Sequence, residues 1–305
     1  MTKIRNIDPA PVALFAFNRP NHLERTLELL SRNHLAIDSS LIIFCDGARD
    51  DRDLESVQKV RFIANSTIGF KRVSVVERER NFGLAESIID GVSGILDGHG
   101  KIIVLEDDME TSPHFLQYMN EALIEYDDIE DVCCIHGYSF PADLSAVSEQ
   151  TFFLPGAECW GWATWSDSWR LFNPDANELL KALKQQGLES YFEYNGRYPY
   201  MNMLKRQARA EIDSWAIRWR ASAFVNKKLT LWPKHSLVRN IGFDGSGVHS
   251  NSTDFFNVKL HSEKVTIGEP EIETNPEGYE AFGKYLKSKM LFEIKRNPFQ
   301  LFRLA

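Results

Sequence analysis

Four carboxylate side chains crowd into the segment KIIVLEDDME, residues 101–110, directly after a run of apolar residues. They belong to Glu106, Asp107, Asp108 and Glu110. Like charges this close repel one another, so the cluster costs free energy unless water or a cation lies between the carboxylates. Carboxylate oxygens are the ligands that a hard divalent cation such as Mg²⁺ or Mn²⁺ prefers. The cluster therefore suggests a metal site, with Asp108 as the expected ligand.

A second interpretation of the acidic cluster stays open at this point. A helix is expected to begin near Ser112 and Pro113. The N-terminus of a helix favours negative charge, so the cluster could be an acidic turn that stabilises this helix without binding a ligand.

The elements that position the cluster are predicted strands and helices that alternate over the first 130 residues. Four apolar, β-rich runs are each followed by an amphipathic helical stretch; the runs are PVALFAF, LIIFC, RVSVV and KIIVL. Strands that are apolar throughout and alternate with helices indicate a parallel sheet covered on both faces. The sequence thus predicts an α/β, Rossmann-like, mostly parallel sheet flanked by helices.

Polar residues stand at the end of every one of these runs: NRP at 18–20, DG at 46–47, ERERN at 77–81 and EDD at 106–108. Ligands bind outside the carboxyl ends of the strands in such sheets. We therefore expect the acidic cluster to share one rim of the sheet with Arg19 and Asp46.

The alternation of strands and helices ends after about residue 130, and three regions are predicted. Residues 1–130 form an α/β half, residues 131–280 a second half of the same unit, and residues 281–305 a basic amphipathic tail. Within the second region, aromatic residues spaced three, four and three apart predict one face of a helix: Trp162, Trp165, Trp169 and Phe172. Residues 176–224 are expected to be mostly helical.

The tail carries lysine and arginine among apolar residues in an otherwise acidic protein. Residues 284–303 could rest on an anionic membrane surface. A final helix packed on the domain explains the same pattern equally well, and the sequence leaves both open.

Composition excludes several classes of protein. The 305-residue chain has a formal net charge of −8, so it lacks the basic field that nucleic-acid binding requires. Four cysteines without CxxC spacing indicate neither a zinc site nor a disulfide framework. No signal-peptide pattern and no apolar run of about 18 residues is present. We expect a cytoplasmic protein, with peripheral contact to the inner face of the membrane if the tail binds there.

Several segments occur in an order that resembles a known family: FAFNRPNHLERTLELL, FCDG, NFGLAESIIDGV, IIVLEDDMETSPHFLQYMNEAL, LPGAECWGWATW, IDSWAIRW and NIGFDGSGVHSNSTDFF. Together, over residues 11–257, they are similar to glycosyltransferases of GT-A fold, of the family 13 type. Those enzymes are N-acetylglucosaminyltransferases, and bacterial polysaccharide sugar transferases with the same EDD signature look similar. The resemblance implies the GT-A fold, with residues 1–130 as the nucleotide-sugar-binding half and residues 131–280 as the acceptor and catalytic half.

The resemblance also implies roles for individual residues. Asp108 would hold Mn²⁺ or Mg²⁺, and Glu106 would lie near the donor sugar. Arg19 and Asp46 would help to hold the uracil and ribose of a UDP-sugar. Asp213, two positions before a tryptophan, would be the catalytic base, although its position also suits an N-cap of the following helix.

Further residues are expected to bind the donor. The glycine-rich segment RNIGFDGSGVHS would close over it, with Arg239 and His249 near the diphosphate. The remaining donor-binding candidates are Asn81, Asp107, Trp160 and Gly161. Where the family has a histidine near the uracil, this chain has Ser87, which leaves the identity of the base open.

The expected function is a metal-dependent, inverting glycosyltransferase. It would transfer a hexose or N-acetylhexosamine from a nucleotide sugar, UDP-linked and UDP-GlcNAc-like, to a glycan or lipid-linked glycan in bacterial surface polysaccharide or glycoconjugate synthesis. Two alternatives remain: a sugar-phosphate nucleotidyltransferase, whose usual glycine-rich loop is missing from FAFNRPNHLERT, and a non-catalytic protein that binds nucleotide sugars or glycans.

Overall fold

A central mixed sheet runs through the computed structural model, which describes residues 8–245 and 253–296. Its parallel part has the strand order β3-β2-β1-β4, with β1 Val12–Ala16, β2 Ser40–Cys45, β3 Arg72–Glu77 and β4 Lys101–Glu106. Beyond β4 the order continues β8-β6-β9-β7, with β6 Val132–His136, β7 Thr151–Pro155, β8 Trp162–Trp165 and β9 Leu229–Pro233. Both predicted halves of the chain thus contribute strands to one sheet.

Two short strands form a separate antiparallel ribbon beside this sheet. They are β5, Met109–Thr111, and β10, Val238–Asn240. The ribbon joins the segment after the acidic triplet to the segment that leads into the glycine-rich loop, so it fixes these two loops relative to each other.

Helices cover both faces of the sheet. They are α1 Pro20–Ser31, α2 Leu54–Asn65, α3 Gly83–Gly98, α4 Phe115–Glu125, α5 Ser166–Trp169, α6 Ala176–Gln185, α7 Glu189–Phe192, α8 Tyr200–Ala208, α9 Trp215–Val225 and α10 Pro276–Arg296, with a 3₁₀ turn at Ala36–Asp38. Within the described ranges, no helix has both the length and the apolar composition that a bilayer-spanning segment needs.

Continuous burial of the inner strands explains their uniformly apolar sequences. In β1, Val12 and Leu14 belong to one hydrophobic cluster, while Ala13 and Phe15 belong to a second. Because successive side chains of a strand point to opposite faces, both faces of the sheet must be covered by apolar groups. The predicted α/β, mostly parallel architecture of the GT-A type is confirmed.

The predicted aromatic helix is wrong in its first part. Trp162 and Trp165 lie in β8, and the helical turn α5 begins only at Ser166. The two tryptophans are buried in different clusters, since residues three apart in a strand point to opposite faces of the sheet. Aromatic residues suit a pleated β-strand as well as they suit a helix. Their spacing alone therefore did not distinguish the two structures.

The second interpretation of the acidic cluster is also wrong. Strand β5 separates the triplet from α4, which begins at Phe115 with His114 at its N-cap position. The triplet therefore lies outside the first turn of α4, where the helix dipole would stabilise negative charge.

The described part of the tail packs on the domain as helix α10. Phe282 and Leu286 are buried, and the ammonium of Lys289 lies 4.0 Å from the centre of the Phe256 ring. Lys284 and Lys287 are exposed. Residues 297–305 are outside the described ranges, and membrane contact through residues 284–303 stays a prediction.

Two glycines of α3 provide a matched test of how this helix packs against the sheet. A Cβ on Gly91 would lie 2.7 Å from Cε1 of Phe15, whereas a Cβ on Gly94 would meet nothing within 4 Å. The Phe15 ring cannot yield easily, because it stacks on Phe44 with ring centres 4.8 Å apart. We expect Gly91→Ala to lower the free energy of unfolding by about 1–3 kcal/mol, as overpacking does.

The Gly94→Ala variant is the control, because alanine favours the helix without meeting a neighbour. It should raise the free energy of unfolding by up to about 1 kcal/mol. Urea denaturation of both variants measures the difference, and equal midpoints would show that the Phe15–Phe44 stack has room to move.

Candidate active site

A cleft of about 480 Å³ opens at the carboxyl ends of β1, β2 and β4. Eight of the predicted site residues line it: Arg19, Asp46, Asn81, Glu106, Asp107, Asp108, Trp160 and Asp213. Gly161 and Arg239 are absent from its lining, and His249 falls outside the described residues. The fold thus brings together residues that lie far apart in the sequence.

Arg19 organises the acidic triplet. Its Nη2 donates to Oδ1 of Asp107 and lies 2.9 Å from Oδ2 of Asp108. Arg19 follows β1 and the triplet follows β4, and these strands are hydrogen-bonded neighbours. Because one guanidinium faces two carboxylates, the local charge of this group remains negative.

The electrostatics of the triplet reflect burial with incomplete neutralisation. Burial raises the pKa of Glu106, the neighbouring Asp108 carboxylate raises it further, and Arg19 counteracts both. Burial also raises the pKa of Asp107, although Arg19 opposes the shift. A cation bound here would lower both pKa values, since it favours the charged form of each acid.

One oxygen of the triplet has the properties of a metal ligand. Oδ1 of Asp108 is buried and has no hydrogen-bond partner among the described residues. The same residues contain no group of three or more His, Cys, Asp or Glu side chains arranged to hold a metal ion. The site therefore fits a cation that takes one ligand from the protein and completes its shell from a diphosphate and water, as Mg²⁺ commonly does.

The loop after β10 closes against Asp108. The Ile241 amide donates to the Asp108 carbonyl oxygen at 2.9 Å. A Cβ on Gly242 would lie 2.1 Å from Oδ2 of Asp108, so only glycine allows this approach. The first part of the predicted closing segment thus lies against the proposed metal ligand.

Asp46 builds the wall of the cleft through its hydrogen bonds. Its carboxylate accepts from the amides of Gly47, Phe82 and Gly83, at 2.9, 2.8 and 3.0 Å, and from Nδ2 of Asn81 at 3.0 Å. These bonds fix the start of α3 against the end of β2. The geometry therefore gives Asp46 and Asn81 a positioning role in addition to their place in the lining.

We expect Asp46→Asn to lower the free energy of unfolding by about 1.5–3 kcal/mol, because an amide cannot accept all four bonds and hydrogen bonds to a charged group are the stronger ones. The donor should also bind less tightly, because α3 forms part of the cleft. Thermal denaturation and nucleotide titration measure the two effects. Asp50→Asn, an exposed change in the following loop, should alter neither.

The far end of the cleft from Trp160 contains an aromatic and a cationic group that the sequence analysis missed. The Arg49 guanidinium lies 5.0 Å from the centre of the Phe17 ring. Asp53 holds it through two bonds, of 2.7 Å to Nε and 3.1 Å to Nη2. A flat ring beside a fixed cation is suited to a nucleobase. The i, i+4 spacing of Arg49 and Asp53 was the available signal.

Asp213 presents its carboxylate to the cleft and to solvent. Its side chain is 66% exposed, and Oδ1 accepts from Nη2 of Arg218 at 3.0 Å. The N-cap interpretation of Asp213 is wrong, because Ser214 caps α9 by accepting from the Ile217 amide at 3.3 Å. The carboxylate is therefore free of a capping role.

Trp160 stands at one side of the cleft within an aromatic group. Its ring centre lies 5.5 Å from that of Phe243 and 4.8 Å from that of Tyr138. Its amide donates to Nε2 of His136 at 3.2 Å. Gly161 lies behind it with φ of 62°, and its carbonyl accepts from the Gly137 amide at 2.7 Å. Gly161 thus places Trp160.

Arg239 lies outside the cleft wall because another partner holds it. Its Nε donates to Oε2 of Glu110 at 2.5 Å, and the other oxygen of Glu110 accepts from Nε of Arg25 at 2.7 Å. This buried carboxylate ties the β5–β10 ribbon to α1. A diphosphate contact for Arg239 stays a prediction.

Comparison with solved structures gives partial matches. They include the mannosyltransferase PcManGT from Pyrobaculum calidifontis in complex with GDP-Man and Mn²⁺ (14% identity, TM-score 0.31, 48% of this chain and 41% of that one). TarS of S. aureus matches at 14% identity and a TM-score of 0.27 over 41% of this chain and 21% of that one. Glucosyl-3-phosphoglycerate synthase from Mycobacterium tuberculosis, in complex with Mn²⁺, UDP and glucosyl-3-phosphoglycerate, matches at 13% identity and a TM-score of 0.33.

The match to the synthase covers 53% of this chain and 58% of that one, so this chain spans less than two thirds of the length of all three proteins. Likeness at such TM-scores does not indicate a shared ligand or activity. The match by sequence family is more extensive. Residues 12–186, more than half of the chain, match the family described as glycosyl transferase family 2. The chain belongs to glycosyl transferase family 2.

Proposed function

We propose that the protein is a divalent-cation-dependent, inverting glycosyltransferase that transfers a sugar from a UDP-linked donor to a hydroxyl of a glycan acceptor. One observation carries the proposal. The same cleft holds an exposed carboxylate, on Asp213, and a buried carboxylate oxygen, on Asp108, that has no hydrogen-bond partner in the part of the chain that the structure describes. Sugar transfer needs both a group that binds the cation and a group that accepts a proton.

The donor would lie along the cleft with its nucleotide at the end formed by Phe17, Arg49 and Asp46. Asp108 would hold Mg²⁺ or Mn²⁺, which when bound neutralises the charge that develops on the leaving diphosphate. Arg19 keeps the Asp108 carboxylate in place through the contact at 2.9 Å. Glu106, which also lines the cleft, would lie near the donor sugar.

Asp213 would accept the proton of the attacking hydroxyl. Its exposed carboxylate accepts a hydrogen bond from Nη2 of Arg218, which orients it. The hydroxyl forms a bond to the anomeric carbon while the bond from that carbon to the diphosphate oxygen breaks. A single displacement from the face opposite the leaving group inverts the anomeric configuration. This assignment carries over the role that the family 13 resemblance implies for Asp213.

The proposed context is synthesis of a bacterial surface polysaccharide or glycoconjugate in the cytoplasm. The acceptor would be a glycan or a lipid-linked glycan, and residues 284–303 would contact the membrane that holds it. The exposed Lys284 and Lys287 of α10 are compatible with such a contact.

The experiment is a donor panel. The full chain is incubated with UDP-, GDP- and dTDP-sugars, with Mn²⁺, with Mg²⁺ or with chelator, and release of nucleoside diphosphate is measured. We expect turnover of one nucleotide class that disappears with chelator. Turnover that continues unchanged with chelator would overturn the metal assignment, and absence of binding and turnover for all donors would overturn the glycosyltransferase assignment.

A further inference from the structure

A second, smaller cavity of about 160 Å³ lies beside the cleft. Trp160 lines both cavities. Asp213 lines the cleft, and the next residue, Ser214, lines the second cavity. The second cavity therefore adjoins the proposed base, and neither Phe17 nor Arg49 of the nucleotide end contributes to it. Its volume is well below the ~300–1,000 Å³ of sites for larger ligands, so it suits a single small ring.

The walls of this cavity combine aromatic rings with one buried ion pair. The rings belong to Tyr138, Phe140, Trp160, Tyr198, Tyr200 and Phe256. The ion pair joins Nη1 of Arg220 to Oε1 of Glu158, with side-chain exposures of 4% and 15%. The Arg220 guanidinium also lies 4.3 Å from the centre of the Tyr200 ring, which fixes its plane.

This ion pair is poorly explained by stability. Burying two charges costs several kcal/mol per ion, and an apolar pair of similar volume often serves a fold as well. Burial raises the pKa of Glu158, although Arg220 opposes the shift. Nε of Arg220 is buried and has no hydrogen-bond partner among the described residues. Both charged side chains line the cavity, so a ligand bound there can contact either of them.

We propose that this cavity is the subsite for the terminal sugar ring of the acceptor. Resting on the proposed function, the assignment adds the residues that would recognise the acceptor. A sugar ring presents C–H groups on its faces, which pack on aromatic rings, and hydroxyls at its rim. Glu158 accepts hydrogen bonds and Arg220 donates them. The pair can therefore bind one sugar hydroxyl that donates and another that accepts. Because Ser214 lines this cavity and Asp213 lines the cleft, a ring held here would lie next to the segment that carries the proposed base.

The test fills the cavity while leaving the cleft unchanged. Ala216 lines the cavity near the start of α9, and Ala216→Leu places a larger side chain in it. Ala208→Leu is the matched control, a half-buried alanine of α8 outside both linings. Met203→Trp fills the same cavity from α8 and replaces Ala216→Leu if that variant fails to fold.

The probes are methyl glycosides of glucose, galactose, mannose and N-acetylglucosamine, added to the full chain with UDP and Mg²⁺ and detected by saturation-transfer NMR. At least one glycoside should bind, with affinity lowered about tenfold or more in Ala216→Leu, a loss of roughly 1.4 kcal/mol, and unchanged in Ala208→Leu. The affinity for UDP should be the same in all three proteins.

Three outcomes would overturn the proposal: no glycoside binds the wild type, binding survives in the folded cavity-filling variant, or a UDP-sugar displaces the glycoside competitively. The last outcome would assign the cavity to the donor. Failure of the proposed function is separable from these outcomes, because it appears as loss of nucleotide binding while the glycoside result stands.

Discussion

Replacing Asp108 with asparagine is expected to lower the rate of sugar transfer by about 10²–10³-fold, the range found when one group that stabilises transition-state charge is removed. Asparagine keeps the shape of the side chain but lacks the charge that holds a cation. The cation concentration that gives half-maximal activity should therefore rise. Arg19 retains Asp107 as an ion-pair partner, so the folded structure should persist.

Asp107→Asn is the control for Asp108→Asn. Both residues face the same guanidinium, and both are buried, so loss of an ion pair with Arg19 is common to the two variants. Of Asp107 and Asp108, only Asp108 has a buried oxygen without a hydrogen-bond partner among the described residues. Titration of Mn²⁺ against activity should shift for Asp108→Asn alone. An equal shift in both variants would mean that Arg19, and not a metal, accounts for the effect.

Much of the fold could be predicted because two physical rules agree over the first half of the chain. Runs such as LIIFC, which ends at Cys45, are apolar at every position, and only a strand covered on both faces explains them. The polar residue that follows such a strand must lie at the rim. The positions of Asp46 and Asp108 in one cleft followed from this rule and from the family resemblance.

The errors arose where a local pattern was compatible with two structures. Tryptophans three apart fit a helix, but the partners of Trp162 and Trp165 are on opposite faces of a sheet that the local spacing does not reveal. Strand β5 was missed because a three-residue strand has too few side chains to show a period, and it forms only by pairing with β10, more than 120 residues later.

The site was predicted least well where residues act through partners remote in sequence. Arg239 was predicted as a diphosphate ligand from its loop, and the local sequence does not show that Glu110 holds its guanidinium. Phe17 and Arg49 meet only because β1 and β2 are neighbours, so neither suggested a base-binding role alone. The pairing of Glu158 with Arg220 likewise depends on α9 crossing behind β8.

Replacing Asp213 with asparagine should lower kcat by about 10²–10⁴-fold, the contribution typical of a positioned base. Donor affinity should be unchanged, because the side chain is 66% exposed and its ion-pair partner, Arg218, is absent from the cleft lining. Glu211→Gln is the control. Glu211 precedes Asp213 by two residues, and its carboxylate is bound to Arg209 at 2.6 Å, outside the cleft lining.

Azide separates a base from a merely structural residue at position 213. In Asp213→Ala the acceptor hydroxyl keeps its proton, so attack on the anomeric carbon should be slow. Azide is an anion with no proton to lose, and it can attack without a base. We expect azide to restore nucleoside diphosphate release from Asp213→Ala by about tenfold or more, a recovery of ~1.4 kcal/mol in the barrier, and to yield a glycosyl azide of inverted configuration.

Azide should not rescue Asp108→Asn, because that variant lacks the group that stabilises the leaving diphosphate. Equal rescue of both variants, or of neither, would contradict the assignment of Asp213 as the base and Asp108 as the cation ligand.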